Sequence, residues 1–260
     1  MPALVGTPSD DVPEILATGR TDITTIFVSF SARHPQGRDA EYIEWHGLDH
    51  QPDQHRLSCL RASLRLVSTP ACRGARAAED KRYEAVDHVM TYLFNDIDRL
   101  DAFDALNLAM AEVGRNPYNR GAPVDVQIPG MPLLERGAYG LDGSAAAPRV
   151  KVGADVLPWW PARGVYLLVE RGQEPASALI ETPGVAGAWW GKGIPLEPPY
   201  ASADNTGLQI TYCFLDGDPA ETGRQLRPVL EQRWADGSVV PLLAAPFHTI
   251  VRYDWGRYLP

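Results

Sequence analysis

The sequence of 260 residues predicts an α+β fold in which the order β-α-β-β-α-β occurs twice, in two tandem halves. Segments with alternating apolar residues, typical of strands, flank segments with apolar residues three and four apart, typical of helices. Two strand-like segments, MTYLF at 90–94 and ITYCF at 210–214, share one pattern, and each leads into a helix-like segment. Between the halves, residues 116–163 are rich in Pro and Gly, which marks a connection.

The first half opens with a strand and a helix. Apolar and polar residues alternate over Thr24–Ser31, which predicts a strand with two different faces. Asp39 is suited to cap the helix that follows, and Pro52 should end it because the residue before a proline avoids the α region. Spacings of three and four place a set of residues on one helix face: Ile43, His46, Gly47 and His50. Two imidazoles are therefore expected side by side near the C-terminal end of this helix.

The remainder of the first half completes the order of elements. Strands are predicted at Ser63–Ser68 and Asp87–Phe94. A helix capped by Asp96 or Asp98 should follow and stop at Gly114, before a last strand at Leu133–Tyr139. This is the split βαβ order of ferredoxin-like domains, in which two helices cover one face of an antiparallel sheet.

The second half repeats that order with less regular helices. Asp218 and Pro219 should open its long helix, and Pro228 inside that helix predicts a kink or a break. The other predicted elements are strands at Gly164–Glu170, Gly207–Leu215 and Phe247–Tyr253, and a short helix at Pro175–Glu181. We therefore predict an N-terminal extension over 1–22, a first ferredoxin-like half over 23–150 and a second over 151–260.

The composition excludes several classes of function. With 45% hydrophobic and 22% charged residues, the chain should be globular. Its net charge of −9 argues against nucleic-acid binding, which requires clustered Lys and Arg. No segment reaches the roughly 20 apolar residues of a membrane helix and residues 1–20 are unlike a signal peptide, so we expect a cytoplasmic protein with no membrane partner. Three cysteines without a CxxC pair predict neither a disulfide framework nor a structural zinc site.

The densest polar constellation lies at the end of the first predicted helix. Three of the six histidines, His46, His50 and His55, fall within ten residues. Residues 45–53 (WHGLDHQPD) resemble the helix-end motif of the dimeric α+β barrel superfamily, particularly the EthD-like group, in which an aromatic residue precedes an acidic-His-x-Pro segment. The corresponding part of the second half, 178–190, contains no histidine.

This resemblance implies a fold and a site. The two antiparallel sheets would pack face to face as an α+β barrel, closed either within the chain or between two chains of a homodimer, and His50 would point into the enclosed pocket. Such a site is expected to act on a small hydrophobic or aromatic molecule without a cofactor. The reaction types that the superfamily implies are lyase, isomerase, cyclase and oxygenase.

Each residue has a predicted role. His50 titrates near neutrality and is predicted as general acid or base, and Asp49 or Asp53 would orient its ring. Tyr92 or His88, which share one strand face, would donate hydrogen bonds to a developing oxyanion. The predicted catalytic residues are therefore His50, Asp53 and Tyr92. The residues predicted to bind the ligand are Trp45, His46, His88, Phe27 and Tyr42.

Several alternatives remain open on sequence alone. The protein could bind a ligand in the same pocket without catalysis, and a histidine beside an aspartate at a helix end often serves only as a C-terminal cap. His46 and His50, four residues apart, could hold a metal with Asp53 or His55, and haem binding is a related alternative. We predict no metal site, because the motif lacks the glutamate of HExxH and Pro52 follows closely.

Overall fold

The computed structural model describes residues 23–119, 121–172, 174–196, 200 and 204–258. The predicted N-terminal extension, 1–22, lies outside the described residues. The strands are β1 (Thr25–Ser31), β2 (Leu60–Val67), β3 (Ala78–Glu79), β4 (His88–Phe94), β5 (Leu133–Ala146), β6 (Gly164–Arg171), β7 (Val185–Ile194), β8 (Leu208–Leu215) and β9 (Val240–Thr249). The α-helices are α1 (Asp39–Trp45), α2 (Gln51–Gln54), α3 (Pro70–Gly74), α4 (Leu100–Glu112) and α5 (Pro219–Trp234).

Eight of these strands form a closed antiparallel barrel. The first four long strands lie in the order β2-β4-β1-β5, and the second four in the equivalent order β7-β8-β6-β9. Strand β5 pairs with β7, and β9 pairs with β2 at Leu66–Thr249 and Val67–His248, which closes the ring within one chain. Strand β3 pairs with β9 outside the ring. The predicted α+β barrel of two ferredoxin-like sheets is confirmed, while the boundary near 150 and the homodimer stay predictions.

The interior of the barrel is a packed apolar core. Inward side chains of β1, β4, β6, β8 and β9 form one buried cluster, joined by Trp189 from β7. Two polar groups meet inside it: the Thr91 and Tyr212 hydroxyls lie 2.8 Å apart and link the two sheets. In the described part of the chain this core packs between the two sheets, and the expectation of a pocket enclosed there stays a prediction.

The outer face of each sheet is covered by helices. Helix α4 packs Phe103 against Phe27, Tyr92 and Phe94 of the first sheet. Helix α5 places Leu226 and Leu230 on the outer face of the second sheet, in a separate buried cluster. Alternation gives the strands β4, β6 and β8 two buried faces, one toward the barrel and one toward a helix.

Several elements of the structure differ from the prediction. Strand β7 was not predicted, because its segment VAGAWWGKGI is rich in glycine and its buried faces show no alternation. The last strand ends at Thr249, since Tyr253 has a φ of 65° and forms a left-handed turn. The short helix of the second half is a 3-10 turn at Ser177–Glu181. Asp218 caps α5 as predicted, and Pro228 does not interrupt it.

The helix that carries the histidines continues through the proline predicted to end it. Residues His46–His50 form a π-helical turn between α1 and α2, and the Gln51 N–H bonds to the His46 carbonyl. Pro52 has no N–H and is the second residue of α2, directly after the π-helical turn. Asp39 is the first helical residue and not the cap; its carboxylate accepts the His34 N–H at 3.1 Å.

Candidate active site

The outer face of the first sheet forms the floor of the region beneath this helix. Residues directly opposite on paired strands share a face, so Ser63, Tyr92 and Phe27 form one row across β2, β4 and β1. The next row places Arg65 beside Met90. The prediction that His88 and Tyr92 share a strand face follows from the same register.

His46 lies over this floor and is the histidine best placed for chemistry. It is 3% exposed, and its Nε2 lies 3.2 Å from the Tyr92 hydroxyl. Its ring stacks on Tyr42 with 6.3 Å between centroids. Burial, with a smaller contribution from the Arg65 charge, holds the pKa of His46 well below its usual range. The imidazole is therefore neutral at pH 7.

A cavity of about 170 Å³ opens beside His46. The π-helical turn forms one wall, β2 another, and the segment after β9 the third. Its polar lining residues are His46, Gln51, Ser63, Arg65 and Arg252, and its apolar ones include Ile43, Leu64, Ile250 and Trp255. No Asp or Glu of the described ranges lines it. The Gln51 amide donates to the Ser63 hydroxyl, which fixes that wall.

Arg65 is one of two arginines that line this cavity. Its guanidinium lies 5.1 Å from the centre of the Tyr42 ring, and its Nη2 lies 3.4 Å from the Met131 sulfur. Its Nε is buried without a hydrogen-bond partner in the part of the chain that the structure describes. In contrast, Arg233 binds the buried Glu170 carboxylate through two nitrogens. A half-buried guanidinium held by a ring and a thioether keeps unused capacity for an anion.

His50 lies deeper and has a different environment. It is 6% exposed, its ring stacks on Trp45 at 4.7 Å between centroids, and its Nε2 accepts from the Gln54 amide at 2.9 Å. That amide also donates to the Asn107 Oδ1 at 3.0 Å. Burial lowers the pKa of His50 to about 4, against the opposing effect of Asp49 and Asp53. His50 does not line the cavity beside His46.

Asp53 does not orient the His50 ring as predicted. Its carboxylate binds Arg115 at 2.5 Å and Arg56 at 3.5 Å, while Asp49 binds Arg115 at 3.0 Å. Arg115 follows α4 and attracts both carboxylates to the outer side of the helix. The hydrogen bond to Arg115 lowers the pKa of Asp53, which borders an open groove on that side.

Two residues predicted to bind ligand are structural. His88 is 1% exposed, and its Nε2 donates to the Asp39 carboxylate at 2.7 Å, which ties β4 to α1. Burial lowers the pKa of His88 to about 4 despite that contact, so it pairs with Asp39 as a neutral donor. Phe27 packs in the core beneath α4, against Phe94 and Phe103.

The first half also has a second, larger space. A cleft of about 1180 Å³ lies between α4 and the segment that precedes β5. Tyr118 borders the cleft and packs on Tyr42 at 4.7 Å and on Trp45 at 4.6 Å. Its other lining residues include Asn107, Leu108, Met131 and Arg136. No histidine or cysteine of the described residues lines it.

The sequence analysis missed the residues that complete the site. Ser63 and Arg65 lie two apart on β2, and their alternation inside an apolar strand was an available signal. Arg252 and Trp255 come from the end of the second half and carried no local signal. The Trp255 ring lies 3.5 Å from where a Cβ of Gly47 would stand, so this glycine lets the ring pack on the helix.

The described residues offer neither a metal site nor a membrane-spanning helix. No group of three or more His, Cys, Asp and Glu side chains among them is arranged to hold a metal ion. Nor is any described helix long and apolar enough to span a bilayer.

Comparisons with known proteins bear on the fold. No family model matches the chain, and no curated protein matches its sequence. The solved structure of a chlorite dismutase-like protein covers 92% of this chain and 100% of its own, at 9% identity and a TM-score of 0.50. An anthrone oxidase-like protein covers 88% and 92% at 11% identity and a TM-score of 0.45. A dye-decolorizing protein from V. cholerae covers 90% and 95% at 11% identity and a TM-score of 0.42.

The first of these likenesses defines the class of fold and no more. At 9% identity it shows a barrel of the dimeric α+β type, which here is closed within a single chain. The finer EthD-like assignment rests on residues 45–53 alone and stays a prediction.

Proposed function

We propose that the chain is a small-molecule enzyme that removes a proton from a hydrophobic or aromatic substrate in the cavity beside His46. One observation carries the proposal: a neutral histidine and a guanidinium without a carboxylate partner among the described residues border the same cavity. A base next to a fixed positive charge suits the formation of an enolate or phenolate. The role predicted for His50 passes to His46, because His50 does not line this cavity.

The proposed step needs no group beyond these side chains. A C–H or O–H bond of the substrate breaks, the proton goes to a ring nitrogen of His46, and the electron pair stays on the substrate. Arg65 stabilises the resulting anion. Tyr92, at 3.2 Å from Nε2, fixes the ring and can exchange a proton with it. Isomerase, lyase, cyclase and oxygenase chemistry can all proceed from such an anion.

The test measures proton exchange directly, so the final product need not be identified. Phenylacetone and phenylpyruvate, both with enolisable C–H bonds, are incubated with the protein in D₂O, and deuterium incorporation is followed by NMR. We expect exchange above the buffer rate and a loss of about 100-fold or more in His46→Gln, the usual contribution of a general base. The matched control is His50→Gln, four residues away on the same helix, which should retain most of the rate. The proposal fails if neither probe exchanges, or if His46→Gln and His50→Gln behave alike.

A second function is favoured by the large cleft. Its volume of about 1180 Å³ and the absence of histidine from its described lining suit a ligand-binding role without catalysis. In that case a ligand would bind to the purified protein unchanged. Leu108→Trp, which fills the cleft, would abolish binding, and His46→Gln would leave it intact.

A further inference from the structure

We infer that the substrate of the His46 cavity carries a carboxylate, and that Arg65 binds it. This inference rests on the proposed function, because it names the substrate class of the same site. The two can fail separately, since one concerns the recognition of a charge and the other the transfer of a proton.

The first argument is the missing counter-charge of Arg65. Arginines elsewhere in the chain meet carboxylates: Arg233 binds Glu170, Arg82 binds Glu135, and Arg73 binds Asp87 at 2.5 Å. Arg65 has no such partner among the residues described, and its Nε is buried and unbonded. A partly buried charge without a partner is costly, so proteins place one where a ligand supplies the opposite charge.

The contacts that Arg65 does make cannot replace an anion. A cation over an aromatic ring, such as that with Tyr42, is among the weaker interactions, and a thioether such as that of Met131 is a weak acceptor. Both contacts fix the direction of the guanidinium. They therefore pre-organise a donor group at the cavity wall, which lowers the cost of binding a planar carboxylate.

The second argument is the composition of the cavity. Its wall has a second guanidinium, from Arg252, and donors from Ser63 and Gln51. No described acidic residue faces them, although the whole chain has a net charge of −9. Local positive charge in an acidic protein is a feature of this site and not of the general surface.

The third argument is the size and shape of the cavity beside His46. A volume of about 170 Å³ suits a single ring, since an apolar cavity of roughly 150 Å³ holds benzene in another protein. The apolar part of the wall, Ile43, Leu64 and Trp255, can cover one face of such a ring. An aromatic carboxylate satisfies both the apolar and the cationic parts of this lining.

The experiment compares benzoate with benzamide, which has nearly the same shape and no charge. Binding to the full chain is measured by calorimetry at low salt. We expect benzoate to bind about tenfold or more tightly than benzamide, the usual effect of a charge-assisted hydrogen bond. Arg65→Met should abolish this preference, and Arg65→Lys should restore part of it. The control is Arg56→Met, which removes an arginine whose side chain is 83% exposed in the turn after α2.

Each outcome decides one proposal. Equal binding of benzoate and benzamide, or an unchanged preference in Arg65→Met when Arg65→Lys folds with the same melting temperature, overturns the carboxylate assignment. Displacement of benzoate by inorganic phosphate at similar concentration overturns it in favour of a phosphate ligand. If the preference depends on Arg65 but no His46-dependent exchange occurs, the carboxylate site stands and the proton-transfer proposal fails. If His46-dependent exchange occurs but benzoate binds no more tightly than benzamide, the proton-transfer proposal stands and the carboxylate assignment fails.

Discussion

The burial of His50 predicts a specific loss of stability in acid. The pKa of this imidazole falls from its ordinary value of 6.5 to about 4 in the folded protein. Below about pH 6.5 the unfolded chain binds a proton that the folded chain refuses, so the free energy of unfolding decreases until the pH reaches about 4. At about 1.4 kcal/mol per pH unit, the loss from His50 alone is about 3 kcal/mol.

The variant that isolates this effect is His50→Phe. Phenylalanine keeps a ring against Trp45 but cannot take a proton, although it leaves the Gln54 amide with one partner fewer. The variant is therefore expected to have a somewhat lower free energy of unfolding at pH 7. Between pH 6.5 and pH 4, its free energy of unfolding should fall by about 3 kcal/mol less than that of the unmodified chain. Urea unfolding followed by tryptophan fluorescence at several pH values gives both curves. His55→Phe, at an exposed position five residues on, should change the slope less. Parallel curves for His50→Phe and the unmodified chain would refute the reasoning.

Two further predictions concern the second half of the barrel and are checked by urea unfolding at pH 7. Gly164→Ala would place a Cβ 2.1 Å from a backbone oxygen of β9, so we expect the free energy of unfolding to fall by at least about 3 kcal/mol. Gly74→Ala, which has open space around its Cβ, is the control and should be nearly neutral. Equal effects of the two substitutions would contradict the close approach at Gly164. Glu170→Gln leaves the Arg233 charge without its buried carboxylate and should lower the free energy of unfolding by about 3–5 kcal/mol. The control, Glu231→Gln at an exposed position, should lower it by less than about 0.5 kcal/mol. A small effect of Glu170→Gln would show that solvent reaches the ion pair.

The fold could be predicted largely from strand alternation. Strands β1, β4, β6 and β8 have interior and exterior faces of recognisable residue types, and their order fixes the ferredoxin-like arrangement. Strand β7 could not be predicted, because its glycines are required by close neighbours: a Cβ at Gly193 would lie 1.9 Å from the Asn205 carbonyl oxygen. Such close approaches arise from tertiary packing and leave no local pattern in the sequence.

The similarity of the MTYLF and ITYCF segments predicted two similar halves, but the structure places matching residues of the two segments on opposite strand faces. Tyr92 faces outward beneath α4, whereas Tyr212 faces inward and bonds to Thr91. The two segments are therefore one residue out of step, and a one-residue shift reverses every face of a strand. The two halves are alike because they share a strand order, and not because of the similarity between these two segments.

The proposed site lies beside the helix that the sequence motif singles out, but the roles proposed within it differ from the predicted ones. Part of the motif at 45–53 borders the cavity. His46 and His50 share a helix face by spacing, so sequence alone could not decide which of them meets a cavity. The decision depends on β2 and on Trp255, more than 200 residues later, which border the space at His46. The π-helical turn over His46–His50 also shifts the direction of both rings in a way that α-helical spacing does not predict.

The difference between the halves explains why only one carries a candidate site. In the first half the connection after the first strand is a helix of three pieces, long enough to hold His46 above the sheet. In the second half the same connection is a 3-10 turn at Ser177–Glu181, and the outer sheet face is filled by α5 and by Trp190. The second half instead closes the barrel edge along β2 and extends past β9 to form the third wall of the cavity. The first half alone would leave β2 with an unpaired edge and His46 without that wall, so the proposed site requires both halves even though His46 and Arg65 come from the first.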